Sequence, residues 1–258
     1  MSQATYFGAH SLTIGDKHTW KDWHLIPCNR PDFADAEPRF VYIEVPGADG
    51  EIDASTALSG RVLFEMREGS FDFLVDNERD EKWDQLYTKM KRYVQGRELK
   101  VVKEDDPLWY YIGRFWFSEP TQDNTNMKVT LNYKVKPYKY KNYDSLTDIP
   151  WDDLTLDDVV QHYVFKDISV SGERKYEFAA NAIGRAAVVP TFIAETDGEG
   201  LSIKLVNPEL SISTERSLGN GKTTDPNFIL SGVNDKNVCT LTISGNGKLS
   251  IQFVSGEL

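Results

Sequence analysis

The chain has little of what most site chemistry is built from. It carries two cysteines and four histidines in 258 residues. Cys28 and Cys239 stand far apart in sequence. Two reduced thiols are the expected state, which points to folding in a reducing cytoplasm. No two of His10, His18, His24 and His162 stand at helical ligand spacing, so no zinc site is expected, and His18 and His24 in "HTWKDWH" read as a loop or strand surface. Basic residues are also short, 29 against 40 acidic, for a net charge of −11. Duplex DNA and anionic membranes both call for clustered lysine and arginine, so neither is expected as a partner. No run approaches the roughly 20 apolar residues that span a bilayer, so no membrane insertion is expected. The start, "MSQATYFGAH", has no basic segment followed by an apolar one, and no secretory signal is read there.

Catalytic patterns are missing in the same way. Gly221-Lys222-Thr223 looks like the end of a phosphate loop, but that pattern needs a glycine at position 216, which is Arg216. There is no GxGxxG and no G-x-S-x-G elbow. Three acidic pairs remain: Asp105-Asp106, Asp152-Asp153 and Asp157-Asp158. Glycosidases hold two carboxyl groups about 5–10 Å apart across a cleft. Neighbours on a strand point to opposite faces, so none of these pairs supplies that geometry alone, and each reads as a solvated turn. No catalytic, cofactor-binding or metal-ligating residue is therefore nominated, no cofactor is expected, and the chain reads as a non-enzyme.

What is present is material for a core. Hydrophobic residues make up 40% of the chain and aromatics 12%, which is enough for a folded protein of one large or two ordinary domains. Five of the six tryptophans lie before residue 140, and the sixth, Trp151, just after it. From residue 155 onward Val, Ile and Leu dominate. Between the halves, "KPYKYKNYDSLTDIPWDDLTLDD" is polar and has no sustained period. It reads as a connector, about 137–158, dividing a first domain of 1–140 from a second of 141–258.

The first half alternates. In "NMKVTLNYKVK", Met127, Val129, Leu131, Tyr133 and Val135 share one face and the lysines the other, the pattern of a half-buried antiparallel strand. "RVLFEMRE" predicts a strand with Val62, Phe64 and Met66 on one face, and "FDFLV" another. Over 79–95, Trp83, Leu86, Tyr87, Met90, Tyr93 and Val94 recur at spacings of three and four, which predicts one amphipathic helix that packs on its own sheet and ends at Gly96. In "KEDDPLWYYIGRFWF", Trp109, Tyr111, Phe115 and Phe117 share one strand face and Tyr110, Ile112 and Trp116 the other. Two apolar faces predict burial on both sides, one of them against the helix or a neighbouring subunit. The second half offers short strands such as "LSIKLV", "CTLTIS" and "KLSIQFV", separated by glycine turns, and predicts a β-sandwich or jelly roll.

These residues also carry a likeness. "WKDWHLIPCNRP", then "FVYIEVPGADGEIDASTALSGRVLFEMREGSFDF", then the helix and "LKVVKEDDPLWYYIGRF", and finally "GKLSIQFVSGEL", stand in the order seen in phage distal tail proteins. The chain resembles these baseplate hub proteins of long, non-contractile (siphovirus-type) tails, well over residues 10–140 and loosely beyond. The resemblance implies a mainly β fold: an N-terminal β-sandwich with one helix near 79–95 and a C-terminal galectin-like β-sandwich. It implies a hexameric ring at the virion tail tip, assembled in the host bacterial cytoplasm. The ring would join the major tail tube protein to the tail-associated hub or lysin protein and the receptor-binding protein. At 258 residues the chain would be a short form without an inserted carbohydrate-binding module. DNA would pass through the ring unbound, and an acidic balance suits such a wall. Two other readings stay open. One is an adhesin that binds host cell-wall saccharide through the C-terminal domain. The other is a glycan-degrading enzyme.

Overall fold

The computed structural model describes residues 9–47, 49–57, 61–76, 83–122, 126–147, 165–179, 186–208, 211–230 and 238–258. Among them are nineteen strands and one helix. In chain order these are β1 (Leu12–Ile14), β2 (Lys17–His18), β3 (Leu25–Pro27), β4 (Pro38–Arg39), β5 (Tyr42–Glu44), β6 (Glu51–Asp53), β7 (Leu63–Phe64), β8 (Arg67–Val75) and α1 (Trp83–Val94). There follow β9 (Glu98–Lys103), β10 (Asp106–Phe117), β11 (Thr121–Gln122), β12 (Met127–Val135), β13 (Lys139–Lys141), β14 (Ile168–Ala179), β15 (Thr191–Asn207), β16 (Ile212–Leu218), β17 (Gly221–Thr224), β18 (Val238–Gln252) and β19 (Gly256–Glu257). The chain divides into two compact units, one of Met1–Pro38 with Phe64–Lys139, the other of Arg39–Leu63 with Tyr140–Leu258. The fold is mainly β, as the alternating patterns predict.

The first unit is built on an antiparallel sheet in the order β2-β1-β9-β10-β12-β8-β3. Strand β12 explains its coherence. Met127, Val129, Leu131, Tyr133 and Val135 are all buried, and Lys128 and Lys134 are exposed, so one face is dry and one is wet. The dry face carries an aromatic cluster. Phe33 stacks on Tyr111 at 3.9 Å between ring centroids, and Phe71 stacks on Tyr133 at 4.8 Å. Helix α1 lays Leu86, Met90 and Val94 on this same face, with Trp83, Tyr87 and Tyr93 at its margin. Its first turn holds Asp84 and its last Lys91 and Arg92, which suits the helix dipole. Gly96 follows at φ +79°, and positions 79–82 of the expected helix lie outside the described residues.

Two local expectations are corrected. "RVLFEMRE" is not one strand. The Glu65 amide turns to the Glu37 carbonyl at 2.8 Å, and the ladder resumes only at Arg67. Met66 is left exposed. In β10, Trp109 does not share the core face with Tyr111, Phe115 and Phe117. The β9–β10 register shifts between Asp106 and Tyr110, and that bulge turns Leu108 inward and leaves Trp109 half-buried under the Lys139 ammonium. The second apolar face of β10 is not covered by the helix either, because α1 sits on the Phe117 side.

The second unit centres on β18. Twelve of its residues pair with β14 and twelve with β15, in the sheet order β14-β18-β15-β16 with β17 beside β15. Its dry face gathers Phe192, Ile203, Leu205, Leu241, Ile243 and Ile251, closed over by Phe165, Phe228 and Leu230. Within the stretch 137–158, Lys139–Lys141 form β13, which pairs with β19, and Ser145 is buried. Residues 148–164 lie outside the described residues.

Candidate functional site

Strands β5 and β6 form a separate two-stranded sheet, paired Tyr42 with Asp53, Ile43 with Ile52 and Glu44 with Glu51. Gly47 and Gly50, at φ +84° and +83°, supply the left-handed backbone of its turn. The base is fixed by local hydrogen bonds. Val41 N–H donates to Ser55 Oγ at 2.9 Å, Ala54 N–H to the Val41 carbonyl at 2.8 Å, and Ser55 N–H to Asp53 Oδ1 at 2.9 Å. The Ser55 hydroxyl holds the Asp53 carboxyl below its ordinary range.

This hairpin is apolar and uncovered. Phe40, Val41, Tyr42, Ile43, Val45 and Ile52 are exposed, from 37% at Val45 to 58% at Ile52. The pairing puts Ile43 and Ile52 on one face and Tyr42, with Phe40 at 6.2 Å, on the other. An isolated two-stranded hairpin is marginal in water, and a contiguous exposed apolar patch marks an interaction surface. Nothing in the sequence distinguishes "FVYIEV" from a core strand. The one available signal is the close spacing of Pro46, Gly47 and Gly50, which marks a tight turn.

The outward face of the first unit's sheet carries Tyr110, Ile112 and Trp116 on β10, the first two half-buried and Trp116 38% exposed, and Leu74, also 38% exposed, on β8 opposite Lys128. Lys100, Arg114, Lys128 and Lys134 share this face by register. The Lys100 ammonium sits 4.2 Å from the centre of the Tyr110 ring, and burial lowers the pKa of this lysine. Arg114 donates to the Gly96 carbonyl at 2.6 Å, and Lys134 pairs with Glu68.

The residues weighed for chemistry are held in structural roles. Asp105 accepts from His10 Nδ1 at 2.7 Å and from Arg30 Nε at 2.9 Å. Burial pushes its carboxyl up, and those two partners more than offset it. Asp106 faces Lys139 at 3.9 Å. His18 Nδ1 accepts the Trp20 and Lys21 amides, each at 3.2 Å, so it closes a turn, and burial lowers its pKa. His24 lies 3.8 Å from Asp76. Gly221, Lys222 and Thr223 form β17 along β15, which is no phosphate loop. Cys28 is exposed and Cys239 is buried. Asp152, Asp153, Asp157, Asp158 and His162 lie outside the described residues. Among the described residues no three His, Cys, Asp or Glu side chains cluster as a metal site.

The crystal structure of SPP1 Dit (gp 19.1), titled a paradigm of the hub adsorption apparatus in phages that infect Gram-positive bacteria, superposes with a TM-score of 0.59. The match covers 97% of this chain and 100% of that one at 14% sequence identity. The likeness is one of fold, and it spans both units. No family model matches the chain, and neither does any curated protein sequence.

The outward face of the second unit speaks to the saccharide reading. Opposite the buried Leu201, Ile203 and Leu205, the outward positions are Ser202 and Lys204, facing Ser217 and Glu215 on β16 and Ser244 and Thr242 on β18. Sugar platforms stack CH groups on aromatic rings, and none of these side chains offers one.

Proposed function

We propose that the chain is a structural hub protein of a phage tail tip whose copies close into a hexameric ring. The ring joins the tail tube to the tail-associated hub protein and to the receptor-binding apparatus, and it stands at the virion tip. The observation that carries this reading is the β5–β6 hairpin, whose apolar side chains are exposed, on a fold similar to that of a phage hub protein. A monomeric enzyme or a simple adhesin has no use for it, whereas a ring subunit must keep apolar surface for its neighbours. The role is structural, and the lumen through which DNA passes is acidic.

Light scattering and negative-stain images of the purified chain, alone and with its tube partner, test this. Rings are expected from the wild type, and their loss from an Ile43→Asp, Ile52→Asp variant that keeps its thermal midpoint. A wild-type chain that stays monomeric in both conditions overturns the proposal.

A further inference from the structure

Strands β2 and β3 lie at opposite ends of the first unit's strand order, yet the chain passes from one to the other within residues 19–24. Neighbouring strands stand about 4.8 Å apart, so a flat sheet of seven would hold its ends roughly 29 Å from each other. The Leu25 amide instead donates to the Thr19 carbonyl at 2.9 Å. The sheet curls until its two ends meet, and residues 18–25 clasp them. Thr19 is buried at the join. Its amide donates to the Leu12 carbonyl of β1 at 2.8 Å, and its hydroxyl accepts the Leu12 amide at 3.0 Å.

The clasp is a single helix-like turn. The Asp22 amide donates to the His18 carbonyl at 3.0 Å and the His24 amide to the Trp20 carbonyl at 2.9 Å. The first amides of such a turn find no acceptor within it. His18 Nδ1 accepts two of them, from Trp20 and Lys21, as the side-chain oxygen of a serine or aspartate cap would do. Asp22 Oδ2 accepts the His18 amide in return at 2.8 Å. The turn sets Trp23 in the core, edge-on to Tyr93 at 5.8 Å and to Phe117 at 6.4 Å.

An imidazole nitrogen accepts a hydrogen bond only while it carries no proton. We propose that His18 is an acid-sensitive latch on this clasp: protonation of Nδ1 withdraws the acceptor from the Trp20 and Lys21 amides, the turn opens, and the two ends of the sheet part between Thr19 and Leu25. The latch works within one copy and does not depend on ring closure. The surroundings keep the ring neutral near neutrality. Burial lowers its pKa and Lys21 adds to that, while Glu104, just past β9, and Asp22 oppose it. Lys17 pairs with Asp22 at 3.4 Å. The folded value lies below the ordinary 6.5, so the stabilisation is fully present above 6.5 and is lost as pH falls through the folded value.

Amide hydrogen exchange of the full chain, corrected for intrinsic rates, tests the latch at about pH 7.5 and about pH 5, on either side of a histidine titration. Protection at His24 and Leu25 is expected to fall at least about tenfold at the lower pH, the effect of losing roughly one net hydrogen bond. The Lys136 amide, bonded to the Ile112 carbonyl at 2.9 Å, should change less. His18→Asn supplies an acceptor that does not titrate, so its protection at Leu25 should hold across the range. Should that variant fail to fold, the wild type still decides, because the ring nitrogen shifts of His18 are expected to show Nδ1 without a proton at the higher pH. A proton on Nδ1 there, unchanged Leu25 protection in acid, an equal fall at Lys136, or an asparagine variant that loses protection as the wild type does, each overturns the proposal.

Discussion

Arg67 and Pro137 are joined across the first unit, with the Arg67 Nε donating to the Pro137 carbonyl at 2.7 Å. The same guanidinium donates through Nη1 to the Ala34 carbonyl at 3.0 Å and lies 5.5 Å from the centre of the Tyr111 ring. Arg67 is buried, so its charge is solvated by protein dipoles in place of water. Replacing it by methionine keeps the volume but strands two carbonyls. Arg67→Met is expected to lower stability by about 2–4 kcal/mol, since each orphaned buried acceptor costs about 1–3. Arg67→Lys recovers only part, because lysine lacks the planar fork. Urea titration reads both changes, and a wild-type midpoint for the methionine variant would show that the clamp carries no weight.

Gly113 of β10 pairs with Val135 of β12. A Cβ there would stand 2.3 Å from the Lys134 carbonyl oxygen and 2.5 Å from Val135 Cα. Both obstacles are backbone, so the central strands must part. Gly113→Ala is expected to destabilise by about 1–3 kcal/mol or more, as overpacking does, although glycine-to-alanine changes at relaxed positions stabilise. Hydrogen exchange at Lys136, whose amide donates to the Ile112 carbonyl at 2.9 Å, should quicken beside it. Unchanged exchange and an unchanged melting point together would count against the close approach.

Asp72 gives a dependence on pH. Its carboxylate accepts from Lys128, and Thr130 Oγ1 donates to it at 2.7 Å. The Lys128 hydrogen bond and then the Thr130 one hold the Asp72 pKa below its ordinary value of 3.8. The sign follows from the lowered folded value. The stabilisation is fully present above the unfolded pKa and is lost as pH falls through the folded one. Asp72→Asn should therefore melt below wild type near neutrality and converge with it in acid, below 3.8. Melting curves across that range decide it, and a gap that stays constant in acid would remove the linkage.

Ser145 staples the second unit. Its hydroxyl donates to the Ile251 carbonyl at 2.6 Å and accepts the Phe253 amide at 2.8 Å, and the residue is buried. Ser145→Ala leaves both backbone groups unpaired, and a loss of about 1–3 kcal/mol is expected. Thermal unfolding followed at the second unit measures it. A midpoint equal to wild type would mean that neither bond contributes.

Legibility in the sequence followed physical locality. Strand β12 and helix α1 were readable because alternation and the three-four stripe are local patterns that burial leaves visible. The misassigned face of Trp109 came from a bulge whose cause lies in the partner strand, and period-two reasoning carries no term for a register shift. The break at Glu65 had the same origin, a hydrogen bond to Glu37 that the pattern "RVLFEMRE" does not contain. The exposed hairpin was hidden for a different reason. "FVYIEV" is apolar whether it is covered or bare, and exposure belongs to the tertiary structure alone. The outward face of β10 was half visible, since the apolar character of Tyr110, Ile112 and Trp116 was plain and only the position of the helix showed which face it left open.

The placement of β18 has a consequence for how the second unit is made. It is the latest of the sheet's strands to leave the ribosome, yet it lies at the sheet's centre, between β14 and β15. Until it emerges, β14 has no ladder to join, and β15, which can already pair with β16 and β17, keeps its other edge open. Their pairing is distant in sequence, which slows closure and prolongs the interval in which those edges can find the wrong partner. The nascent chain thus passes through a vulnerable window set by gene order alone, and a chaperone that shields strand edges would act on it at that moment.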